Sequence, residues 1–209
     1  MKNLFLRNFM LLAVLGCAPI ITSQAEGKGN DNLSAKNVLM VGLTDNVRSN
    51  YFPKVMITEK TGIMEDMIDR EYNAIIMENI VASAGGMFIP ACADASLYEW
   101  ATMIKVEGEG DNSYSDLSQV SADEYRNALN TAGAEYLLVL NQHYLRWQER
   151  PMRTLFHIVS YTLFDKDKNE VYRGNGYFTS MDLETPDRLI RTSSRTSSRI
   201  ASTIISQIK

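Results

Sequence analysis

Two apolar periodicities alternate along the chain. From Asn37 to Leu43 the residues Val38-Leu39-Met40-Val41-Gly42-Leu43 form an unbroken apolar run between polar neighbours, which suits a short strand buried on both faces. Thr44-Asp45-Asn46 ends it, and residues 46–57, with Tyr51, Phe52 and Pro53, read as a loop. From about Thr58 to Ala84 the spacing changes to three and four. Ile63, Met67, Ile68, Ala74, Ile75, Ile76 and Ile80 line one side, and Glu65, Asp66, Asp69 and Glu71 punctuate the other. This predicts one long amphipathic helix, stopped by Gly85-Gly86. Met87 to Cys92 then reads as a second strand.

Capping chemistry organises the middle. Ser96-Leu97-Tyr98-Glu99 matches a capping box and predicts a helix from Leu97 to Lys105. The stretch from Glu107 to Ser113 has the acidic, glycine-rich composition of a mobile loop. Ser121-Ala122-Asp123-Glu124 opens a further helix that runs to Thr131 or Ala132, with Gly133 as its C-cap.

The last third returns to strand patterns. Glu135 to Trp147 is rich in Leu, Val and Tyr, and Thr154 to Phe164 places Leu155, His157, Val159, Tyr161 and Leu163 on one face. Asp165 to Asn169 is a tight polar turn, and Val171 to Ser180 comes back as a third strand. Thr185-Pro186 starts the final helix with an N-cap threonine and proline at its first position. The order β-α-β-α-α-β-β-β-α implies an α/β fold: a single mixed β-sheet, its C-terminal part an antiparallel meander, with helices packed on it.

The first residues stand apart from that pattern. Lys2 and Arg7 precede an apolar run from Phe9 to Leu15, too short to span a membrane, and small residues occupy the −3 and −1 positions of a cleavage after Ala25. This is a secretory signal over residues 1–25, followed by a polar linker (26–35) and one α/β domain from 36 to 209. Val14-Leu15-Gly16-Cys17 offers a second processing site, at which Cys17 becomes an acylated first residue. The expected location is the periplasm, or the outer membrane if Cys17 is acylated.

Length and charge narrow the function classes. A chain of 209 residues with 45% hydrophobic content is long enough for one well-formed core. Removing residues 1–25 takes two of the 21 basic residues and none of the 25 acidic ones, leaving a formal charge of −6. General nucleic-acid binding, which depends on neutralising phosphates, is therefore not expected.

Candidate chemistry is sparse. The sequence has no HExxH, paired CxxC, GxSxG or phosphate loop, and no cofactor or metal is expected. His143 and His157 read as partly exposed strand histidines, and Cys92, in an apolar segment, as a small buried hydrophobe. Asp165-Lys166-Asp167-Lys168-Asn169 begins like a calcium loop, but Glu170 replaces the glycine at position 6 and Gly176 the glutamate at position 12. A hairpin turn fits better. The carboxylates at 65–71 read as the solvated side of their helix. Tyr98, Trp100, Tyr144 and Trp147 are candidates for an aromatic patch that takes a partner or glycan.

Residues 121–176 resemble a recurring module of Gram-negative envelope proteins. A helix leads through Gly133-Ala134-Glu135-Tyr136-Leu137-Leu138-Val139 into a strand. Ile158-Val159-Ser160-Tyr161-Thr162-Leu163-Phe164-Asp165 and Glu170-Val171-Tyr172-Arg173-Gly174 follow as the next two. These steps are similar to those of the TolB amino-terminal domain, the curli-secretion lipoproteins and the LpoB-type activators of penicillin-binding proteins. Glu135 stands where those families have aspartate, and the insert 93–120 is not obviously shared. The resemblance implies an exported, non-enzymatic envelope protein that acts as an interaction or assembly domain, with another envelope protein as partner. A small-ligand or glycan-binding module is the alternative.

One repeat remains. Arg-Thr-Ser-Ser occurs twice from Arg191 and is closed by Arg199. On a helix, at about 100° per residue, Arg188, Arg191, Arg195 and Arg199 fall within an arc of about 80°. Leu189, Ile190, Ile200, Ile204 and Ile208 fall opposite, with Ser193, Ser197 and Ala201 among them. The arginines then form a cationic helix face, which either pairs with acidic neighbours or meets an anionic partner such as a membrane surface.

Overall fold

The opening apolar run forms strand β1 (Val38–Gly42), and its burial has a topological cause. β3 (Phe88–Pro90) pairs parallel to it on one side and β6 (Tyr136–Gln148) parallel on the other, so neither edge is free. The computed structural model describes residues 36–91 and 99–208. The signal, the linker, Cys17, Cys92 and Tyr98 lie outside them.

The strand order is β3-β1-β6-β7-β8, with β7 (Thr154–Asp165) and β8 (Glu170–Ser180) completing the expected antiparallel meander. β2 (Val47–Ser49) pairs parallel with residues 143–145 of β6, beyond the stretch that β1 occupies. β1 and β2 thus share one edge of a single 13-residue strand. Between them, the β6 register shifts at Leu140/Gln142. The extra residue changes which face the strand's side chains meet. Leu138 and Leu140 face the first layer before it, and Leu145 and Trp147 after it.

The first layer consists of α1 (Lys54–Thr61), α2 (Ile68–Ala84) and α4 (Pro186–Gln207). Ile57, Ile75, Ile76, Ile80, Leu189, Ile200 and Ile204 pack on Val38, Met40, Val159 and Leu163 of the sheet. The second face carries α3 (Ala122–Ala132) and the chain before it. Tyr125, Leu129, Trp100, Ile104, Leu117 and Val120 cover Leu39, Val41, Leu137, Val139 and Phe164. Leu39 and Met40 therefore serve different cores, which is why the run shows no alternation.

Several expectations need correction. The helix expected over 58–84 is two helices. Gly62 takes a left-handed φ of 79° and caps α1, and a 3-10 turn at Glu65–Met67 leads into α2. A glycine reaches that conformation without strain, so the break is cheap. The loop expected over 46–57 holds β2 and the start of α1. Of the helix expected over 97–105, the described part is a 3-10 segment, Glu99–Met103, and Lys105 opens strand β4 (Lys105–Glu107). β4 pairs antiparallel with β5 (Tyr114–Asp116). The Ser121 cap and the Gly133 C-cap are as expected. The Ser121 hydroxyl accepts from the Glu124 N–H, and Gly133 adopts φ 61°.

The loop expected to be mobile at 107–113 is anchored by buried polar groups. Gly110 N donates to Gln142 Oε1 at 2.7 Å, and Ser113 and Ser160 hydroxyls share a short hydrogen bond. Asn141, the extra residue of β6, is the hub. Its Oδ1 accepts from Ser115 Oγ at 2.7 Å, and its Nδ2 donates to Ser113 O and Thr162 Oγ1 at 3.0 Å each. Replacing Asn141 by Ala would strand three buried groups. The expected cost is about 2–4 kcal/mol. Hydrogen exchange should show residues 105–116 losing protection at lower denaturant than the sheet, and uniform loss across the domain would contradict this.

Candidate functional site

Several of the apolar side chains that remain in water lie near one another. Among the described residues, the large apolar side chains that are more than half exposed are Tyr51, Val55, Met64, Met152, Tyr177 and Met181, the last at 79%. Four of them, Tyr51, Met64, Met152 and Met181, lie toward the end of the sheet opposite the start of β1, whereas Val55 is on α1 and Tyr177 lies within β8 opposite Ile158. Met152 lies in the β6–β7 connection, where Gln148 pairs with Thr154, and Met181 follows Ser180, which pairs with Leu155. Tyr51 stacks on Trp147 with ring centroids 5.9 Å apart, and Phe52 meets the same indole edge-on at 5.6 Å. Asn50 fastens this corner, accepting from Trp147 N at 2.7 Å and donating to Trp147 O at 3.2 Å. Lys60 pairs with Asp182 at 3.1 Å, which brings the end of α1, and Met64 beyond it, to the same place. The sequence held one signal of this patch: single apolar residues in otherwise polar connections.

The aromatic candidates are not one patch. Trp100 and Tyr144 are buried on the α3 side of the sheet, and Trp147 is partly buried on the α1 side. Tyr144 and Trp147 are three residues apart on a strand, with no bulge between them, so they point to opposite faces.

The two histidines meet inside the first layer, correcting the expectation of partial exposure. His143 is 2% exposed and His157 0%. Their rings form a chain whose direction can be read. Ser180 Oγ donates to Asp182 O at 2.7 Å, so it must accept from His157 Nε2–H at 3.1 Å. His157 Nδ1 is then a bare acceptor for His143 Nε2–H at 3.2 Å. Both rings are neutral in this arrangement, and His143 Nδ1 is left as an unpartnered lone pair. Tyr72 covers His143 edge-on at 4.8 Å, and Phe178 stacks on His157 at 4.4 Å. Burial holds both imidazoles well below the usual histidine range, His157 at about 3, and the neighbouring His157 pushes His143 down further. Rings this inaccessible pack the core.

Two further places have the outline of a site. The chain reverses its direction of growth at β1, with β3 on one side and β6 on the other, and α/β sheets commonly bind ligands outside the carboxyl end of such a strand. Here that position is occupied by the protein itself. Lys54 Nζ bridges Asp45 at 3.0 Å and Asp69 at 3.2 Å, and Asp69 also accepts from Val47 N. The second place is an open cleft beside β5 and the β7–β8 turn, lined by Glu107, Tyr114, Lys168, Glu170 and Arg173. Asp116 also lines it, so three carboxylates face two cations, and most of these groups are already engaged within the protein. Arg173 donates twice to Glu170 and lies 4.2 Å over the Tyr114 ring, and the Tyr114 hydroxyl donates to Glu107.

On α4 the arginines lie as the spacing implies. Arg188, Arg191, Arg195 and Arg199 are exposed, while Ser193, Ser197 and Ala201 are buried with Leu189, Ile200 and Ile204. Ile190 departs from the expectation and is 39% exposed. Thr196 of the same repeat is buried and donates to Tyr177 O at 3.0 Å.

The fold defines a mixed-sheet α/β domain with an exposed apolar end and a cationic helix. No protein-family profile matches the sequence, and no curated protein matches it. Solved structures of similar outline exist. The hypothetical protein CT253 from Chlamydia trachomatis is 13% identical, with 83% of this chain and 95% of that one covered and a TM-score of 0.41. The lipoprotein GNA1162 from Neisseria meningitidis is 11% identical, over 83% and 97% of the two chains, with a TM-score of 0.36. The LpoB C-terminal domain from Salmonella enterica is 12% identical, over 70% and 85%, with a TM-score of 0.33. Among the described residues no helix is long and apolar enough to cross a membrane.

Proposed function

We propose that this protein is an exported, non-enzymatic envelope component whose domain docks on another envelope protein through its apolar end. The exposure of Tyr51, Met64, Met152 and Met181 toward the β6–β7 end of the sheet carries the reading. Exposed apolar side chains are ordinary when single, but a cluster marks an interaction surface. Three of these four are methionines, whose flexible thioethers adapt to a protein surface of irregular shape. The stacked Tyr51 and Trp147 add a rigid anchor of the kind that concentrates binding energy at interfaces. The secretory-signal pattern of residues 1–25 supports an exported location, where such a partner would be met.

A photo-crosslinking residue at Met152 or Met181 tests this in intact cells. Each should give the same discrete protein adduct, and a probe at the exposed Glu124 on α3, near the opposite end, should not. Adducts absent at 152 and 181, or identical at all three positions, would contradict the proposal.

A further inference from the structure

The four arginines of α4 are a separate surface from the apolar end. Each is exposed, and among the described residues none lies within 4.0 Å of a carboxylate oxygen, whereas six other basic–acidic contacts in the domain do. The charge is therefore not spent on holding the fold together. It also carries a cost. Arg191–Arg195 and Arg195–Arg199 are like-charged neighbours at i,i+4, an arrangement that weakens a helix. Within Pro186–Gln207 Asp187 is the one acidic residue against four arginines, in a protein whose formal charge after loss of the signal is −6.

The shape of the surface selects the partner. From Arg188 to Arg199 the stripe is about 16 Å long at the helical rise. The positions beside the arginines are Ser194, Ser198, Ser202 and Ser206, so the surface is smooth and has no apolar anchor at its centre. A protein interface of useful strength needs such an anchor. A layer of mobile phosphates does not, because its charges can move to match any spacing.

We infer that the outer face of α4 is a docking surface for membranes rich in anionic phospholipid, binding headgroup phosphates through Arg188, Arg191, Arg195 and Arg199. The rest of this acidic protein is repelled by the same membrane, so contact through α4 also sets the orientation. Exposed arginines near an anionic leaflet act almost independently, and each strengthens attachment severalfold. The attraction is screened within a Debye length, about 10 Å at 0.1 M salt, so it must weaken as salt is raised.

The test is vesicle flotation with residues 26–209, which contain both core clusters and no acyl chain. The protein should float with vesicles containing phosphatidylglycerol and not with pure phosphatidylcholine, and high salt should release it. The double substitution Arg191→Glu/Arg195→Glu should lower binding at least tenfold. Lys105→Glu/Lys166→Glu, which changes net charge equally at exposed sites off α4, should lower it no more than about threefold, with thermal melts confirming that both variants fold. Three results would overturn the inference: no flotation of the wild type, flotation of the arginine variant as strong as the wild type, or equal losses in the two variants, which would indicate bulk charge alone. Docking at the apolar end is read by the crosslinks at 152 and 181, so either conclusion can fail without the other.

Discussion

Acidification from about pH 7.5 to about pH 5.5 should cost the domain about 2.7 kcal/mol of folding stability, because two histidines that ionise when unfolded cannot do so when folded. The unfolded chain takes up a proton at each of His143 and His157 near the ordinary histidine pKa of about 6.5. The folded chain does not, since burial pushes both imidazoles well down, His157 to about 3. Below about pH 6.5 the unfolded state therefore holds more protons, and stability falls as pH falls. The loss continues until the folded-state values are reached, with a limiting slope of about 2.7 kcal/mol per pH unit for the pair. A domain of this size is stable by about 5–15 kcal/mol, so this is a large fraction of the total.

The hydrogen-bond chain explains why the folded state resists the proton. With Asp182 O terminating the chain, the bare nitrogen is His143 Nδ1, and it faces no acceptor. A proton added there creates a buried cation with an unpaired N–H. Carboxylates held low in the native state, such as Asp45 beside Lys54, act in a different window, because their contribution is lost only near and below pH 4. Urea denaturation at several pH values between 7.5 and 5.5 isolates the histidines. A His157→Gln variant should show half the slope, and a flat wild-type profile would sink the argument.

Much of this fold could be read from the chain because strong local signals decided it. The Ser121 and Gly133 caps, the Leu155-to-Leu163 alternation and the 165–169 turn all appear where their patterns place them. The misreadings share a cause: a local pattern overridden by long-range contact. Residues 107–113 look mobile by composition, but Asn141, a polar residue inside an apolar strand, holds Ser113 and the adjoining Ser115 from 28 and 26 residues away. His143 and His157 read as partly exposed on their own strands, and the pairing of β6 with β7, under Tyr72 and Phe178, buries them. The candidate site was less legible than the fold. The arginine stripe is periodic and could be seen, whereas the apolar end is assembled from the connections after β2, α1, β6 and β8, and no single stretch announces it.

Gly42→Ala should be the more damaging of two outwardly similar glycine substitutions, at about 3 kcal/mol or more. Conformation is not the reason, because Gly42 does not occupy the left-handed region. The reason is the close approach of α2 to the end of β1. A Cβ on Gly42 would stand 2.5 Å from both Cβ and Cγ of Asn73 and 2.7 Å from its Nδ2. Asn73 cannot easily yield. It is buried, its amide is paired with that of Asn46 at 2.9 and 3.2 Å, and its Nδ2 also donates to Leu43 O at 2.9 Å. Backing away would break these bonds and leave buried amides unmatched. Because the clash reaches Asn73 Cβ, truncating that residue to alanine should not rescue the variant. Gly86→Ala is the control: an added Cβ there meets nothing within 4 Å, and its φ is not left-handed, so stability should change by less than about 0.5 kcal/mol. Denaturant midpoints of the two variants give the comparison directly, and a loss below 1 kcal/mol for Gly42→Ala would mean that the β1–α2 contact is looser than these distances require.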